Sequence, residues 1–95
     1  DNQIPELSGP VYISIDVDAL DPAFAPGISH NEPGGMTTRQ LLDSLYQIDA
    51  SGVPVVGADV VEINPSRDVN DQTAMVGAKL IRELLGMMIG KELVQ

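Results

Sequence analysis

The stretch 11-VYISIDVDALDP-22 runs from an apolar β-strand pattern directly into three aspartates. An apolar strand of this kind is typical of a parallel sheet whose two faces are both covered. Ionised carboxylates rarely lie at such a position unless a charged partner or a metal ion compensates them. We predict a strand over residues 11–18, with Asp16 and Asp18 on one side of it and their Cα atoms about 6.6 Å apart. The two carboxylates are predicted to bind divalent metal, the alternative being hydrogen-bonded carboxylates that anchor the following loop.

The composition limits the classes of function. The chain has 95 residues, enough for one small domain or a part of a larger one, and its first residue is Asp1, which favours a processed or excised segment. The formal net charge of −9 disfavours nucleic acid and anionic membrane surfaces as partners and suits a cationic substrate or a metal ion. The chain has no cysteine, which excludes disulfides and thiolate zinc sites. No apolar run approaches the roughly 18 residues of a membrane span.

The remaining sequence predicts one more strand and two helices. After a long loop at 19–36, rich in proline and glycine, Thr37-x-x-Gln40 is a capping box that opens a helix, which Ser51-Gly52 ends. A second apolar strand follows over Val55–Val61, and residues 63–66 form a turn. Asp71 is predicted to cap a last helix over roughly 72–89, with a polar stripe at Lys79, Arg82 and Glu83.

Strands that alternate with helices predict an α/β fold with a parallel sheet and right-handed crossovers. The carboxyl ends of parallel strands meet at one edge of the sheet, where ligands bind. Asp16, Asp18 and Glu62 all come at that edge. Glu62 is interpreted either as a substrate-binding carboxylate or as a loop anchor. His30, in the long loop, is interpreted as a surface or hydrogen-bonding residue, as part of the substrate pocket or, third, as a metal ligand.

Two other acids have structural interpretations. Asp21 precedes Pro22, so we expect its carboxylate to accept hydrogen bonds from the backbone of a turn, with metal ligation as the second interpretation. Asp59 lies inside the second strand, where a paired structural carboxylate is the first interpretation and support of the substrate site is the second.

Other motif classes do not fit the first strand. An EF-hand loop beginning at Asp16 needs Gly at its sixth position and Glu at its twelfth, where this chain has Asp21 and Gly27. Phosphatases of the haloacid dehalogenase type also carry Asp-x-Asp after a strand, but Leu20 stands where they have Thr or Val. No Walker loop, nucleophile elbow or dinucleotide-binding glycine motif is present.

Three motifs resemble one known family. Residues 14–27, SIDVDALDPAFAPG, resemble the second metal motif of the ureohydrolases, the family of arginases and agmatinases. Residues 33–37, PGGMT, resemble the segment that follows it, and residues 57–65, GADVVEINP, resemble a later Asp-x-x-Glu-x-Asn-Pro strand. The loop around Ser29-His30 is similar to the branch of plant-type arginases and bacterial agmatinases, whereas many arginases have Gly-Thr there.

The resemblance implies a three-layer α/β/α fold and a binuclear manganese amidinohydrolase. Two manganese ions would lower the pKa of water, and the resulting hydroxide would hydrolyse a guanidino substrate, agmatine or arginine, to urea and an amine. By matching position, Asp16 would bind both ions and Asp18 one. Glu62 would pair with the guanidinium, and His30 is assigned to the substrate pocket. No catalytic residue is assigned in this chain.

The resemblance also implies what this sequence lacks. The earlier Gly-Gly-x-His and Asp-Ala-His-x-Asp metal motifs are not in it, and a proton-shuttling histidine belongs to the same missing half. Residues 1–95 are therefore expected to be the C-terminal part of one catalytic domain and to release no urea alone. Alternatives are a non-catalytic relative or assembly module and, more distantly, a metal-dependent phosphatase. We expect a homo-oligomer, a trimer or hexamer, in the cytoplasm, or in mitochondria if it is a plant-type arginase.

Overall fold

Two parallel strands and two helices alternate along the chain. A computed structural model describes residues 6–90. The elements are β1 (Val11–Asp16), a 3₁₀ turn (Val17–Ala19), α1 (Thr38–Ala50), β2 (Val55–Val61), a second 3₁₀ turn (Pro65–Arg67) and α2 (Gln72–Ile89). The predicted order of elements is confirmed, and β2 has the predicted bounds.

The strands β1 and β2 pair in parallel, with Ile13 opposite Ala58 and Ile15 opposite Val60. These four side chains face the helices. There they pack with the buried leucines of α1 and α2, which are Leu42, Leu45, Leu80 and Leu84. A parallel pair with helices on its apolar face is the α/β arrangement that the sequence predicted.

The opposite face of the sheet and part of α2 are open to solvent in this structure. Tyr12 and Val56 are 61% and 68% exposed. Several apolar residues of α2 are also exposed, although the sequence favoured a mostly buried helix: Met75, Ile81, Leu85 and Ile89. In a three-layer α/β/α fold, the second face of the sheet is covered by further helices. None of the helices between residues 6 and 90 combines the length and the apolar character needed to cross a bilayer.

The capping box at the start of α1 forms as predicted. The N–H of Gln40 donates to the Thr37 hydroxyl at 3.0 Å, and the Thr37 N–H donates to Oε1 of Gln40 at 2.9 Å. The helix ends at Ala50, with Ser51 as its C-cap. Gly52 follows with a φ of +80°, a left-handed conformation that glycine adopts without a steric penalty.

The prediction that Asp71 caps α2 is wrong. Asp71 stands at the N-cap position, but its backbone is left-handed, with a φ of +59°, and its side chain makes no capping hydrogen bond. The carboxylate of Asp68 accepts from the N–H groups of Thr73 and Ala74 at 2.8 and 3.0 Å instead. The left-handed step at Asn70 and Asp71 turns the chain so that the earlier aspartate reaches the free N–H groups of the helix.

Candidate functional site

The two aspartates of the first motif do not share the strand. β1 ends at Asp16, and Asp18 lies in the 3₁₀ turn that follows, so the predicted strand over 11–18 is too long by two residues. The cause is local, because Asp16 caps this turn by accepting a hydrogen bond from the Asp18 N–H at 2.9 Å. The expectation that the two side chains point to one side of a strand is therefore wrong, although both still lie at the carboxyl end of β1.

The Asp18 carboxylate is largely buried and only partly hydrogen-bonded. Its Oδ1 is buried and has no hydrogen-bond partner among residues 6–90, and its Oδ2 lies 3.3 Å from Nδ1 of His30. A buried carboxylate oxygen without a partner is costly, and a cation is one means of compensating it. Asp18 thus fits the role of a ligand to a hard divalent cation. In Asp16, Oδ1 accepts the hydrogen bond from the Asp18 N–H, and Oδ2 takes part in none of the hydrogen bonds described.

The two ends of the long loop are hydrogen-bonded to each other next to the end of β1, through Ala19, Asp21 and Met36, and we call this closure the neck. The Asp21 N–H donates to the Met36 carbonyl at 2.8 Å, and the Met36 N–H donates to the Ala19 carbonyl at 2.9 Å. The Asp21 carboxylate accepts from the N–H groups of Ala23 and Gly34, both at 2.9 Å, which confirms its predicted turn role. These two backbone hydrogen bonds, that from Ala23 first, lower the pKa of Asp21.

The middle of the loop is joined to the start of α2. Ile28 is fully buried and forms an antiparallel bridge with Ile63. The Gly27 N–H donates to the buried hydroxyl of Thr73 at 2.7 Å, and the Gly27 carbonyl accepts from the Asn64 N–H at 2.6 Å. A Cβ at position 27 would meet Thr73 Oγ1 at 2.9 Å, so glycine allows this close approach. These contacts fix the loop that carries His30.

Glu62 follows β2 at the same edge of the sheet, and it is exposed. Its φ of +74° is unusual for a residue with a side chain and costs about 1 kcal/mol or more. The next residue, Ile63, pairs with Ile28 in an isolated antiparallel β-bridge. Because the pairing is antiparallel, the backbone after Ile28, at Ser29 and His30, runs towards Glu62. His30 itself is 82% exposed in its side chain and contacts the site through Asp18.

Asp59 lies on the open face of the sheet and is hydrogen-bonded twice, as its structural interpretation expects. Its carboxylate accepts from the Tyr12 hydroxyl at 2.9 Å and from the Ser14 hydroxyl at 2.6 Å, which joins β2 to β1. The hydrogen bond to Asp59 raises the pKa of Tyr12.

Sequence reasoning missed three residues around the site: Asn64, Arg67 and Asp68. Asn64 caps the second 3₁₀ turn and donates to the Ser29 hydroxyl at 3.0 Å. Arg67 donates to the Asn31 side chain at 3.0 Å. The Asn-Pro dipeptide signals the turn, but nothing local indicates a contact across 36 residues.

No set of three or more histidine and acidic side chains converges closely enough to hold an ion within residues 6–90. The described part of the chain therefore offers Asp16 and Asp18 as partial metal ligands, and Glu62 follows the neighbouring strand at the same edge of the sheet. Further ligands would have to come from elsewhere.

Comparison with known proteins identifies the family. The sequence profile described as "Arginase family" matches residues 1–86. The chain belongs to the arginase family. It is 65% identical over 75 residues to "Arginase 1, mitochondrial" of Arabidopsis thaliana, covering 78% of this chain and 21% of that protein. It is 51% identical over 83 residues to "Agmatinase" of Bacillus cereus, covering 86% of this chain and 29% of that protein.

Solved arginase-family structures share the fold. The arginase from Medicago truncatula superposes with a TM-score of 0.72 at 52% identity, over 81% of this chain and 24% of that one. The proclavaminate amidino hydrolase from Streptomyces clavuligerus superposes with a TM-score of 0.76 at 38% identity, over 82% of this chain and 26% of that one. The described elements are thus part of the arginase α/β/α fold. The chain spans between a fifth and a third of the length of these relatives.

Proposed function

We propose that this chain is the C-terminal part of a binuclear manganese amidinohydrolase, which releases urea from a small guanidino compound. The observation that supports this most directly is the buried Oδ1 of Asp18, which lacks a hydrogen-bond partner among the described residues at the carboxyl end of a parallel strand. Membership of a family that contains arginases and agmatinases supports the reaction type.

Asp16 and Asp18 would hold manganese, which, when bound, supplies hydroxide near neutral pH and electrophilic stabilisation of the developing charge. The chain contributes carboxylate oxygens, the ligand type that suits manganese. The hydrogen bond from the Asp18 N–H fixes one oxygen of Asp16. The Asp16 carboxylate is therefore oriented before any ion binds.

Glu62 would bind the substrate's guanidinium. A carboxylate is the natural partner of this planar cation because it can accept two parallel N–H hydrogen bonds. The left-handed backbone at Glu62 turns the chain sharply at the end of β2, and strained backbone of this kind is concentrated at binding sites. His30 would line the same pocket, beside Asp18. The net charge of −9 favours the approach of a cationic substrate.

The substrate is proposed to be agmatine or arginine. Both names occur among the relatives, as "Arginase 1, mitochondrial" and "Agmatinase". Arginine carries an α-carboxylate that agmatine lacks, and the groups that would distinguish them are proposed to lie outside this chain. A homo-oligomer, and a mitochondrial location if the intact protein is a plant-type arginase, are parts of the same proposal.

The test is urea release by the intact protein loaded with manganese, assayed with agmatine, arginine and 4-guanidinobutyrate. We expect release from at least one of them and its loss after chelation. An intact protein that binds manganese but releases urea from none would favour a non-catalytic relative of the same fold. Release of phosphate from phosphate esters instead of urea would favour a metal-dependent phosphatase.

A further inference from the structure

The tip of the long loop, Ser29-His30-Asn31, is held by two side chains from a distant part of the sequence. Asn64 donates to the Ser29 hydroxyl, and Arg67 contacts the tip on both sides of His30. Nη1 of Arg67 donates to Oδ1 of Asn31 at 3.0 Å and to the Ser29 carbonyl at 3.4 Å. These two acceptors lie on either side of His30. A single guanidinium therefore contacts the loop both before and after the residue that approaches Asp18.

The backbone on both sides of Arg67 is held by hydrogen bonds. It closes the 3₁₀ turn Pro65–Arg67, whose cap is the Asn64 side chain. The next residue, Asp68, accepts hydrogen bonds from the Thr73 and Ala74 N–H groups and so joins this turn to α2. Because the backbone of this turn is already ordered, binding the loop costs the conformational entropy of the Arg67 side chain but no further ordering of its backbone.

The tip and the neck of the loop are fixed by separate contacts. The neck is closed by Asp21 and Met36 next to Asp18, independently of Arg67. Loosening the tip should thus move His30 away from Oδ2 of Asp18, while the neck still holds the backbone next to Asp18. Arg67 is also the only lysine or arginine in residues 16–36 and 59–73, so no neighbouring cation in those segments can replace it.

We propose that Arg67 is a positioning residue for substrate binding, which acts by holding the loop tip so that His30 faces the pocket beside Asp18. This inference rests on the proposed function, because it assigns the tip to substrate binding. It predicts that Arg67 influences substrate affinity rather than the chemical step, since no contact of Arg67 reaches Asp16, Asp18 or Glu62 in the described residues.

The kinetic test uses the intact, manganese-loaded protein with its best guanidino substrate. Arg67→Ala should raise KM about fivefold, the effect of losing an ordinary hydrogen bond, and leave kcat within about twofold. Arg67→Lys keeps the charge and a donor and should restore part of the affinity. The matched control is Arg39→Ala, an exposed arginine of α1 whose described side-chain partner is Asp43, and it should match the wild type.

A double-mutant cycle then tests the contact itself. Asn31→Ala and Arg67→Ala should each raise KM, and the double variant should raise it by less than the two single effects combined, because both remove the hydrogen bond between Arg67 and Asn31. Asn31→Ala also loses the hydrogen bond from Nδ2 of Asn31 to the Pro26 carbonyl at 3.2 Å, so the double variant can exceed Arg67→Ala by that contribution. Additive effects on KM, or a loss in kcat at unchanged KM, would overturn the proposal.

Hydrogen exchange separates this inference from the proposed function. Amides of residues 28–32 should exchange about fivefold faster in Arg67→Ala than in Arg39→Ala, in a measurement that needs no activity. If the wild type releases no urea while this exchange difference is seen, the proposed function fails and with it the substrate role of Arg67, but not its hold on the loop. If the wild type is active and Arg67→Ala changes neither exchange nor KM, the inference alone is overturned.

Discussion

The backbone N–H of Asp18 donates a hydrogen bond to the carboxylate of Asp16 at 2.9 Å. One proposed metal ligand therefore shapes the turn that presents the other. The same contact ends β1 and places Asp18 in the 3₁₀ turn, with a buried oxygen that no described residue satisfies.

This contact predicts that two substitutions of Asp16 differ in stability but not in metal binding. Asp16→Asn keeps an oxygen that can cap the turn, whereas Asp16→Ala loses the cap and should be about 1 kcal/mol less stable. Both should lower manganese affinity by at least about 100-fold. Metal content and thermal unfolding of the intact protein measure the two effects separately. Asp43→Asn, at a half-exposed aspartate of α1, is the control. Equal stability of the two Asp16 variants would contradict the capping role.

Glu62 should show opposite effects on stability and on activity. Glu62→Gly relieves the left-handed backbone and should unfold at equal or higher temperature, with a gain of up to about 1 kcal/mol. The same variant should lose the guanidinium contact, and kcat/KM should fall by about 100-fold or more. Glu62→Gln, which keeps the length of the side chain and its strained backbone, should show the activity loss without the stability gain. An active Glu62→Gly variant would show that this carboxylate does not bind substrate.

The neck of the loop should tolerate no side chain at Gly35. A Cβ there would lie 2.7 Å from the Asp21 nitrogen and 2.8 Å from the Ala19 carbonyl oxygen, both of them backbone atoms. Gly35→Ala should destabilise the intact protein by about 1–3 kcal/mol. Gly34→Ala is the comparison, since it has open space around the Cβ and only the cost of its φ of +94°. A smaller effect at Gly35 than at Gly34, in denaturant unfolding, would mean that the neck is looser than described.

Asp68 should make stability depend on acid pH. Burial acts to raise its pKa, but hydrogen bonds from Thr73, Ala74 and Val69 together lower it below the usual 3.8. Because the folded pKa is the lower one, the stabilisation is fully present above the unfolded pKa and is lost as pH falls through the folded value.

We therefore expect Asp68→Asn to lower Tm by several degrees at pH 7 and to flatten the fall in Tm below about pH 4. Asp71→Asn is the matched control, because this neighbouring aspartate makes no capping hydrogen bond. Thermal melts from pH 2.5 to 7 would test both variants. An unchanged acid profile in Asp68→Asn would refute the capping role.

The elements that could be predicted are those coded by short local patterns. Thr37 and Gln40 are three residues apart and specify the start of α1 by themselves, and the apolar run of β2 matches its observed bounds. The end of β1 cannot be located from the sequence, because alternating apolar and acidic residues suit both a strand and a turn. Only the hydrogen bond between Asp16 and Asp18 decides between them.

The parts that could not be predicted depend on contacts between distant segments. Asp68 replaces Asp71 as the cap of α2 because two successive left-handed residues redirect the chain. Asn and Asp adopt that conformation more readily than other residues with a side chain, but nothing local indicates that Asn70 and Asp71 both do so. Arg67 and Asn31 are in contact although α1 and β2 both lie between them in the sequence. The motif pattern placed Asp16, Asp18 and Glu62 at one edge of the sheet, but not the network that orders the loop above them.

Anomalous diffraction at the manganese edge, from crystals of the intact protein grown with manganese, tests the central claim most directly. The account predicts anomalous peaks within about 2.5 Å of carboxylate oxygens of both Asp16 and Asp18, a distance typical of hard divalent cations. Manganese bound at another place in the protein, with the Asp18 Oδ1 satisfied by a protein donor or a water, would contradict it.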